Sequence, residues 1–276
     1  MQLQLGQRIF DLDSRALVMG ILNRTPDSSY DKGSYWDLDA FYRRAEELVT
    51  AGADLLDVGG VKAGPGPEVG EAEEMDRVVP AIAALHDRFD VPISVDTWRA
   101  AVARESYRAG AVMGNDISGF ADPDYLPFAA EAGAAVVATH IRLAPRVADP
   151  HPRYDNVVED VASFLEERAL RARAAGIPDT RIVIDAGLDL GKTAAQSLEL
   201  LRASARLVEL GWPVLLSASN KTFLGVVFSL EIGDRWEATV AAHSLGVSLG
   251  CRILRAHDVK AARRVCDTLA AVLEAP

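Results

Sequence analysis

Eight short apolar runs alternate with stretches of helical periodicity along the whole chain, and this alternation constrains the fold more than any single motif. The runs are residues 16–22, 55–58, 92–96, 111–116, 134–139, 181–185, 213–218 and 251–257. After them, apolar residues recur at helical spacing over 37–50, 71–86, 99–108, 122–132, 157–175, 195–210, 236–249 and 260–273. A short apolar run bounded by turn residues reads as a strand buried on both faces. Strands separated by helices lie parallel. Eight such units, with no linker-like or low-complexity break, predict an α/β fold: a single (β/α)8 TIM barrel over residues 1–276. An open doubly wound sheet is the structural alternative, and the count of eight favours closure.

Charge and composition exclude several function classes. A net charge of -11 argues against a nucleic-acid binder, which needs a basic face. An anionic substrate would therefore be held by a few local cations or a metal. Cys251 and Cys266 are the only cysteines and lack metal-type spacing, so a reduced, cytoplasmic setting is expected. The first residues lack the layout of a signal peptide, and no apolar run reaches membrane-spanning length, so no membrane partner is expected.

In a barrel of this kind the chemistry sits at the C-terminal ends of the strands. Polar residues gather there: Asn23, Asp57, Asp96, Asn115 with Asp116, His140, Asp185, Ser219 with Lys221, and Arg255 with His257. One such residue is an ordinary turn or cap former, whereas eight polar strand ends exceed what capping requires. The first run breaks into Asn23, Thr25, Asp27, Ser28 and Asp31, which offer oxygens to a cation. Asp96, Asn115, Asp185 and Lys221 suit a flat heterocycle rich in donors and acceptors, such as a pterin or purine. Arg255 and His257, two apart on a strand, point the same way and suit a phosphate. Asn23 suits Mg²⁺ bridging that phosphate. Gly191-Lys-Thr193 is not the end of a P-loop, because Ala186 stands where the first glycine is required. The long loop 141–154, with Arg142, Arg146, His151 and Arg153, reads as a solvated surface loop; covering an anionic substrate is the alternative.

With these motifs in order, the chain resembles the dihydropteroate synthase family along nearly its whole length. The matching segments are 19–28, Asp57-Val-Gly-Gly60, Ser94-Val-Asp-Thr97, Asn115-Asp-Ile-Ser-Gly119, Asp185-Ala-Gly187 with Gly191-Lys-Thr193, Ser219-Asn-Lys221 with Phe223-Leu-Gly225, and Arg255-Ala-His-Asp-Val259. The resemblance implies condensation of 6-hydroxymethyl-dihydropterin diphosphate with p-aminobenzoate, with release of pyrophosphate. It implies that Asp96, Asn115, Asp185 and Lys221 hold the pterin. Asn23, Arg255 and His257 would hold the diphosphate, with Mg²⁺ on Asn23 as the cofactor. Ser219, Lys62 and Pro65 would line the p-aminobenzoate side, and Asn23, Lys221, Arg255 and His257 would carry the chemistry. A homodimer through the last helices is implied as well; the apolar segment 240–247 permits it.

The departures from the family pattern concentrate in the loops. Its second loop usually reads Gly-Gly-Glu-Ser-Thr-Arg-Pro-Gly; here Gly59-Gly-Val-Lys-Ala-Gly-Pro-Gly66 takes its place. A Thr hydroxyl and an Arg fork are thereby lost, and Lys62 restores charge without the fork. A family Phe is Ser29, a pterin-side Met is Thr139, an aromatic near p-aminobenzoate is Leu190, and the Arg before Lys221 is Asn220. Losing one transition-state donor costs on the order of 10²–10³ in rate. The loops resemble those of the divergent second synthase copy of mycobacteria, which implies a weak or inactive enzyme. A fully active synthase, with Lys62 and Arg24 supplying the missing cations, and a non-catalytic pterin- or phosphate-binding protein are the rival expectations. A pterin-dependent methyltransferase would share the acidic floor but has no diphosphate for Arg255 and His257 to hold.

Overall fold

Each of the eight runs forms its strand, with ends within two residues of those expected, in a computed structural model that describes residues 1–25 and 37–273. A short hairpin, β1 (Gln2–Leu5) and β2 (Arg8–Asp11), precedes the barrel strands. These are β3 (Leu17–Asn23), β4 (Leu55–Gly59), β5 (Ile93–Asp96), β6 (Met113–Asp116), β7 (Ala135–Thr139), β8 (Ile182–Asp185), β9 (Val214–Leu216) and β10 (Ile253–Ala256). Every neighbour pair is parallel, and β10 pairs with both β9 and β3, which closes the barrel.

The outer layer comprises α1 (Leu38–Thr50), α2 (Glu71–Arg88), α3 (Ala100–Arg108), α4 (Tyr125–Ala132) and α5 (Val157–Ala174). It continues with α6 (Ala194–Arg202), α7 (Ser204–Val208), α8 (Thr222–Phe228), α9 (Trp236–Ser248) and α10 (Val259–Leu273). Asp37 caps α1, its carboxylate accepting from the N–H groups of Asp39 and Ala40, and Phe41, Ala45 and Leu48 are buried beneath. Outward-facing strand residues such as Val18, Leu56, Val95, Val136, Ile184 and Leu254 pack against the helices in one continuous core.

Inside the barrel a second core holds Leu17, Met19, Leu55, Met113, Val137, Val183, Leu215 and Ile253. The β1–β2 hairpin closes the N-terminal end, because Leu3, Leu5 and Leu12 belong to this same cluster and are buried. Its Gln-Leu-Gln-Leu alternation and left-handed Gly6 are a hairpin signal absent from the eight-run reading.

Three other details differ from expectation. The helix expected over 195–210 breaks at Ala203, where Ser204 Oγ donates to Leu201 O, a local bond that competes with the helix ladder. The helix expected from residue 122 starts at Tyr125, since the Asp122 carboxylate accepts from the N–H groups of Ala100 and Asp124. The third is α8, a seven-residue helix over Thr-Phe-Leu-Gly-Val-Val-Phe, which has weak helix propensity and was not expected. Among the described residues, no helix is long and apolar enough to cross a membrane.

Candidate active site

Side chains alternate across a strand, so each barrel strand presents every second residue to the interior. The lower inward positions are apolar: Leu55, Met113, Val137, Val183 and Ile253. Two residues further along, the same face carries Asp57, Asn115, Thr139, Asp185 and Arg255, and β5 adds Asp96. The registers place Asp96 directly opposite Asn115 and Thr139 directly opposite Asp185. The apolar core is thus capped by a ring of polar groups at the C-terminal mouth.

Arg255 organises one half of that ring. Its Nε donates to Asp57 Oδ2 and its Nη2 to Asp96 Oδ2, each at 2.7 Å. Asp57 Oδ2 also accepts from Asn115 Nδ2 at 3.0 Å, while its other oxygen, fully buried, has no hydrogen-bond partner. Burial works against the Arg255 charge, but Asp57 and Asp96 outweigh it and hold its proton more tightly than usual. Burial, with Asp57 and Glu74 adding, pushes the Asp96 carboxyl up to about 7 against the pull of Arg255. Asp57 holds this cluster together, although the sequence reading gave it no role; its inward position two after Leu55 was the available signal.

On the opposite side, Asp185 is buried and accepts from the Gly187 N–H at 2.8 Å. Burial raises its pKa, with the Gly187 bond and the Lys221 charge opposing. Gly187 adopts a left-handed φ of 64°, and a Cβ there would lie 2.0 Å from His140 O, so only glycine fits. Lys221 immediately precedes α8, and its charge acts on Asp185, Asp96 and His257 alike.

His257 and Ser219 form a pair between β10 and the β9–α8 loop. Ser219 Oγ accepts from the His257 backbone N–H at 3.1 Å and lies 2.9 Å from Nδ1. A hydroxyl that already accepts the backbone N–H satisfies both groups by donating to Nδ1, which assigns the ring proton to Nε2. Burial, then Arg255, Arg44 and Lys221, lower the His257 pKa to about 3, so the imidazole is neutral and offers a single donor.

The remaining candidates sit around this ring. Asn23 ends β3 beside Gly59, and a Cβ on that glycine would approach Asn23 Oδ1 to 3.4 Å. Pro26, Asp27, Ser28, Ser29 and Asp31 lie outside the described residues. Lys62 and exposed Pro65 are carried on the β4–α2 loop. That loop is braced from the β7–α5 loop: Arg146 donates through Nη1 to Lys62 O at 3.1 Å and through Nη2 to Pro67 O at 2.5 Å. Arg142 pairs with Asp149 in its own loop. Of these two arginines, Arg146 fastens one loop to the other and Arg142 ties its own loop together.

Asp116 and His140 face away from the ring. Asp116 shapes a turn, accepting from the N–H groups of Ser118 and Phe120. His140 packs edge-on to Phe164 at 4.8 Å, and its Nδ1 lies 2.8 Å from the buried Lys192 Nζ. That ammonium also donates to Gly187 O and Leu190 O, so the Gly-Lys-Thr segment fixes the turn after Asp185. Thr139, buried in the floor, has an Oγ1 with no hydrogen-bond partner. No group of three or more His, Cys, Asp or Glu side chains among the described residues is placed to hold a metal ion by itself.

Comparison with known proteins converges on one group. A family model described as "Pterin binding enzyme" matches residues 19–257. A dihydropteroate synthase of Clostridium beijerinckii is 39% identical over 260 residues, covering 93% of this chain and 94% of that protein. A Mycobacterium leprae protein named inactive dihydropteroate synthase 2 is 44% identical over 264 residues, covering 94% and 91%. The crystal structure of Yersinia pestis dihydropteroate synthase with a sulfonamide drug superposes with a TM-score of 0.95 at 38% identity, covering both chains completely.

Proposed function

Because this chain belongs to the pterin-binding enzyme family of dihydropteroate synthases, we propose that its barrel mouth binds a pterin diphosphate and a p-aminobenzoate-like amine, with little or no turnover. The observation that carries this reading is a contrast within one site. The polar ring is complete, whereas the β4–α2 loop above it has neither a hydroxyl nor a guanidinium side chain over 59–67.

In the family reaction the amine nitrogen bonds to the pterin methylene carbon as the bond from that carbon to the diphosphate oxygen breaks. Pyrophosphate departs, and the amine loses a proton. Asp96, Asn115, Asp185 and Lys221 surround the pterin, offering carboxylate, amide and ammonium groups around one flat ligand. Thr139 Oγ1, buried without a partner, is a further group for that ligand to satisfy. The His257 donor and the Arg255 charge face the diphosphate, and Ser219, Lys62 and Pro65 line the amine side.

The mouth fits Mg²⁺ in a limited way. Asn23 Oδ1 is one hard oxygen at the rim, and Mg²⁺ commonly takes few protein ligands and completes its shell with waters and phosphate oxygens. Bound there, the ion would offset charge on the departing pyrophosphate. Arg24, a candidate to replace the lost arginine, instead donates to Arg77 O at 2.8 Å and lies over the Phe41 ring in the helix layer. This argues against the fully active alternative.

Self-association fits the same reading, since Val226, Val227, Phe228, Trp236 and Leu245 expose apolar surface on α8 and α9. A cytoplasmic setting does too, because Cys251 and Cys266 are buried and unpaired with each other.

The experiment is calorimetric binding of pterin diphosphate and of p-aminobenzoate with Mg²⁺, beside an assay for pyrophosphate and dihydropteroate. Pterin binding without turnover is expected. Steady release of both products at a synthase rate would overturn the claim of lost chemistry, and absence of pterin binding would overturn the assignment of the pocket.

A further inference from the structure

Asp189 lies in the loop that leaves Asp185, and nothing above gives it a role. Its backbone is left-handed, with φ of 70°, a conformation that aspartate tolerates better than most side chains. The backbone N–H is anchored to α6 by a 3.1 Å bond to Ser197 Oγ, a fully buried hydroxyl. From this fixed point the carboxylate reaches across to α8. Oδ2 accepts from the Thr222 N–H at 2.5 Å, and Oδ1 accepts from the Phe223 N–H at 3.1 Å.

Thr222 and Phe223 are the first two residues of α8, and Lys221 is the residue before them. The first N–H groups of a helix have no partner inside it and favour an anionic acceptor. The Lys221 side chain makes no capping bond of its own. A seven-residue helix containing Gly225, Val226 and Val227 has little intrinsic tendency to form. The far side of the same segment is held from α9 and the residue that precedes it: Arg235 Nη1 donates to Asn220 O at 3.0 Å, and Thr239 Oγ1 accepts from the Asn220 N–H at 3.1 Å. Between them, Asp189 and α9 fix the backbone on both sides of Lys221.

We propose that Asp189 is a positioning residue for Lys221. By capping α8 from the loop of Asp185, it ties the two sides of the pterin pocket into one unit and sets the direction from which the ammonium enters. The inference rests on the pterin reading above for its functional consequence, though not for its geometry.

Two substitutions separate position from general stability. Asp189→Gly suits the left-handed backbone and removes the carboxylate, whereas Asp189→Asn keeps an acceptor oxygen and tolerates the same φ. Loss of a cap of this kind is expected to weaken binding of 6-hydroxymethyl-dihydropterin diphosphate about fivefold to tenfold in D189G. D189N should remain within about threefold of wild type, as the loss of a single charge at a helix end implies. In a K221M background, D189G should have no further effect on pterin affinity. An equal loss with and without Lys221 would overturn the proposal, because it would show a stability effect that bypasses that residue. If the wild-type protein binds no pterin, the proposed function fails, and two ligand-free measurements still decide this inference. Amide exchange at 222–225 and reductive methylation of Lys221 by formaldehyde with cyanoborohydride should both change severalfold in D189G and little in D189N. No change in either would overturn it.

Discussion

Replacing Arg255 by methionine removes the guanidinium while keeping much of its volume, so the consequence is electrostatic rather than a cavity. Arg255 bridges Asp57 and Asp96 at 2.7 Å each, and Asp57 is fully buried. Breaking a buried pair by deleting one partner costs about 3–5 kcal/mol. With its carboxyl pushed up to about 7, Asp96 already carries a proton through much of the range below neutrality. The variant therefore has one uncompensated carboxylate, and its least costly escape is to take up a proton. An unfolded aspartate titrates near pH 3.9, and each unit above that costs about 1.4 kcal/mol to keep the group protonated. The penalty is then about 1.5 kcal/mol at pH 5 and about 4 kcal/mol at pH 7. The folded variant binds more protons than its unfolded chain across this interval, so its stability falls as pH rises, and faster than that of the wild type. Urea denaturation of both proteins at pH 5, 6 and 7 measures the difference, and contributions from unaffected groups cancel in it. A difference below about 1 kcal/mol that does not vary with pH would refute the buried Arg255–Asp57 ion pair.

Three further outcomes are expected. The His257 imidazole, lowered to about 3, should show no protonation in NMR titration between pH 8 and 5, and added pyrophosphate with Mg²⁺ should move its titration upward. Gly187→Ala places a Cβ 2.0 Å from His140 O at a left-handed position, so a loss above roughly 3 kcal/mol, or failure to fold, is expected in thermal denaturation. Restoring the family loop by Ala63→Thr with Gly64→Arg should raise dihydropteroate formation by on the order of 10²-fold or more, because each transition-state donor is worth that much. A Cβ at Gly64 meets no atom within 4 Å, so the arginine can enter without displacing the loop; unchanged turnover would show that the loop is not what limits catalysis.

Period and turn chemistry determined a large share of this protein. The eight apolar runs had no other use than strands buried on both faces, and the rule that barrel chemistry lies at strand ends located Asp96, Asn115, Asp185 and Arg255 without coordinates. Local signals sufficed there because each strand carries its own polar end residue at the same point in the period-two pattern. Elements whose reasons lie elsewhere in the chain were not legible. Helix α8 has weak propensity, and its first N–H groups are capped by Asp189, more than thirty residues upstream. Asp57 looked like any strand-end carboxylate until closure of the barrel brought Arg255 and Asn115 onto one of its oxygens. His140 and Asp116 carried the same polar label as the true ring members, yet their places in the strand alternation turn them toward the helices. The long loop reads in sequence as a solvated surface loop, with cover for an anion as the alternative, and neither reading shows that Arg146 braces the neighbouring loop. The sequence by itself set the strands, their order of polar ends and the family resemblance, since each depends on residues close together in the chain. Only the tertiary structure decided which charges share a partner, which imidazole is neutral and which loop caps α8, because electrostatics and capping act across distances that sequence spacing does not encode.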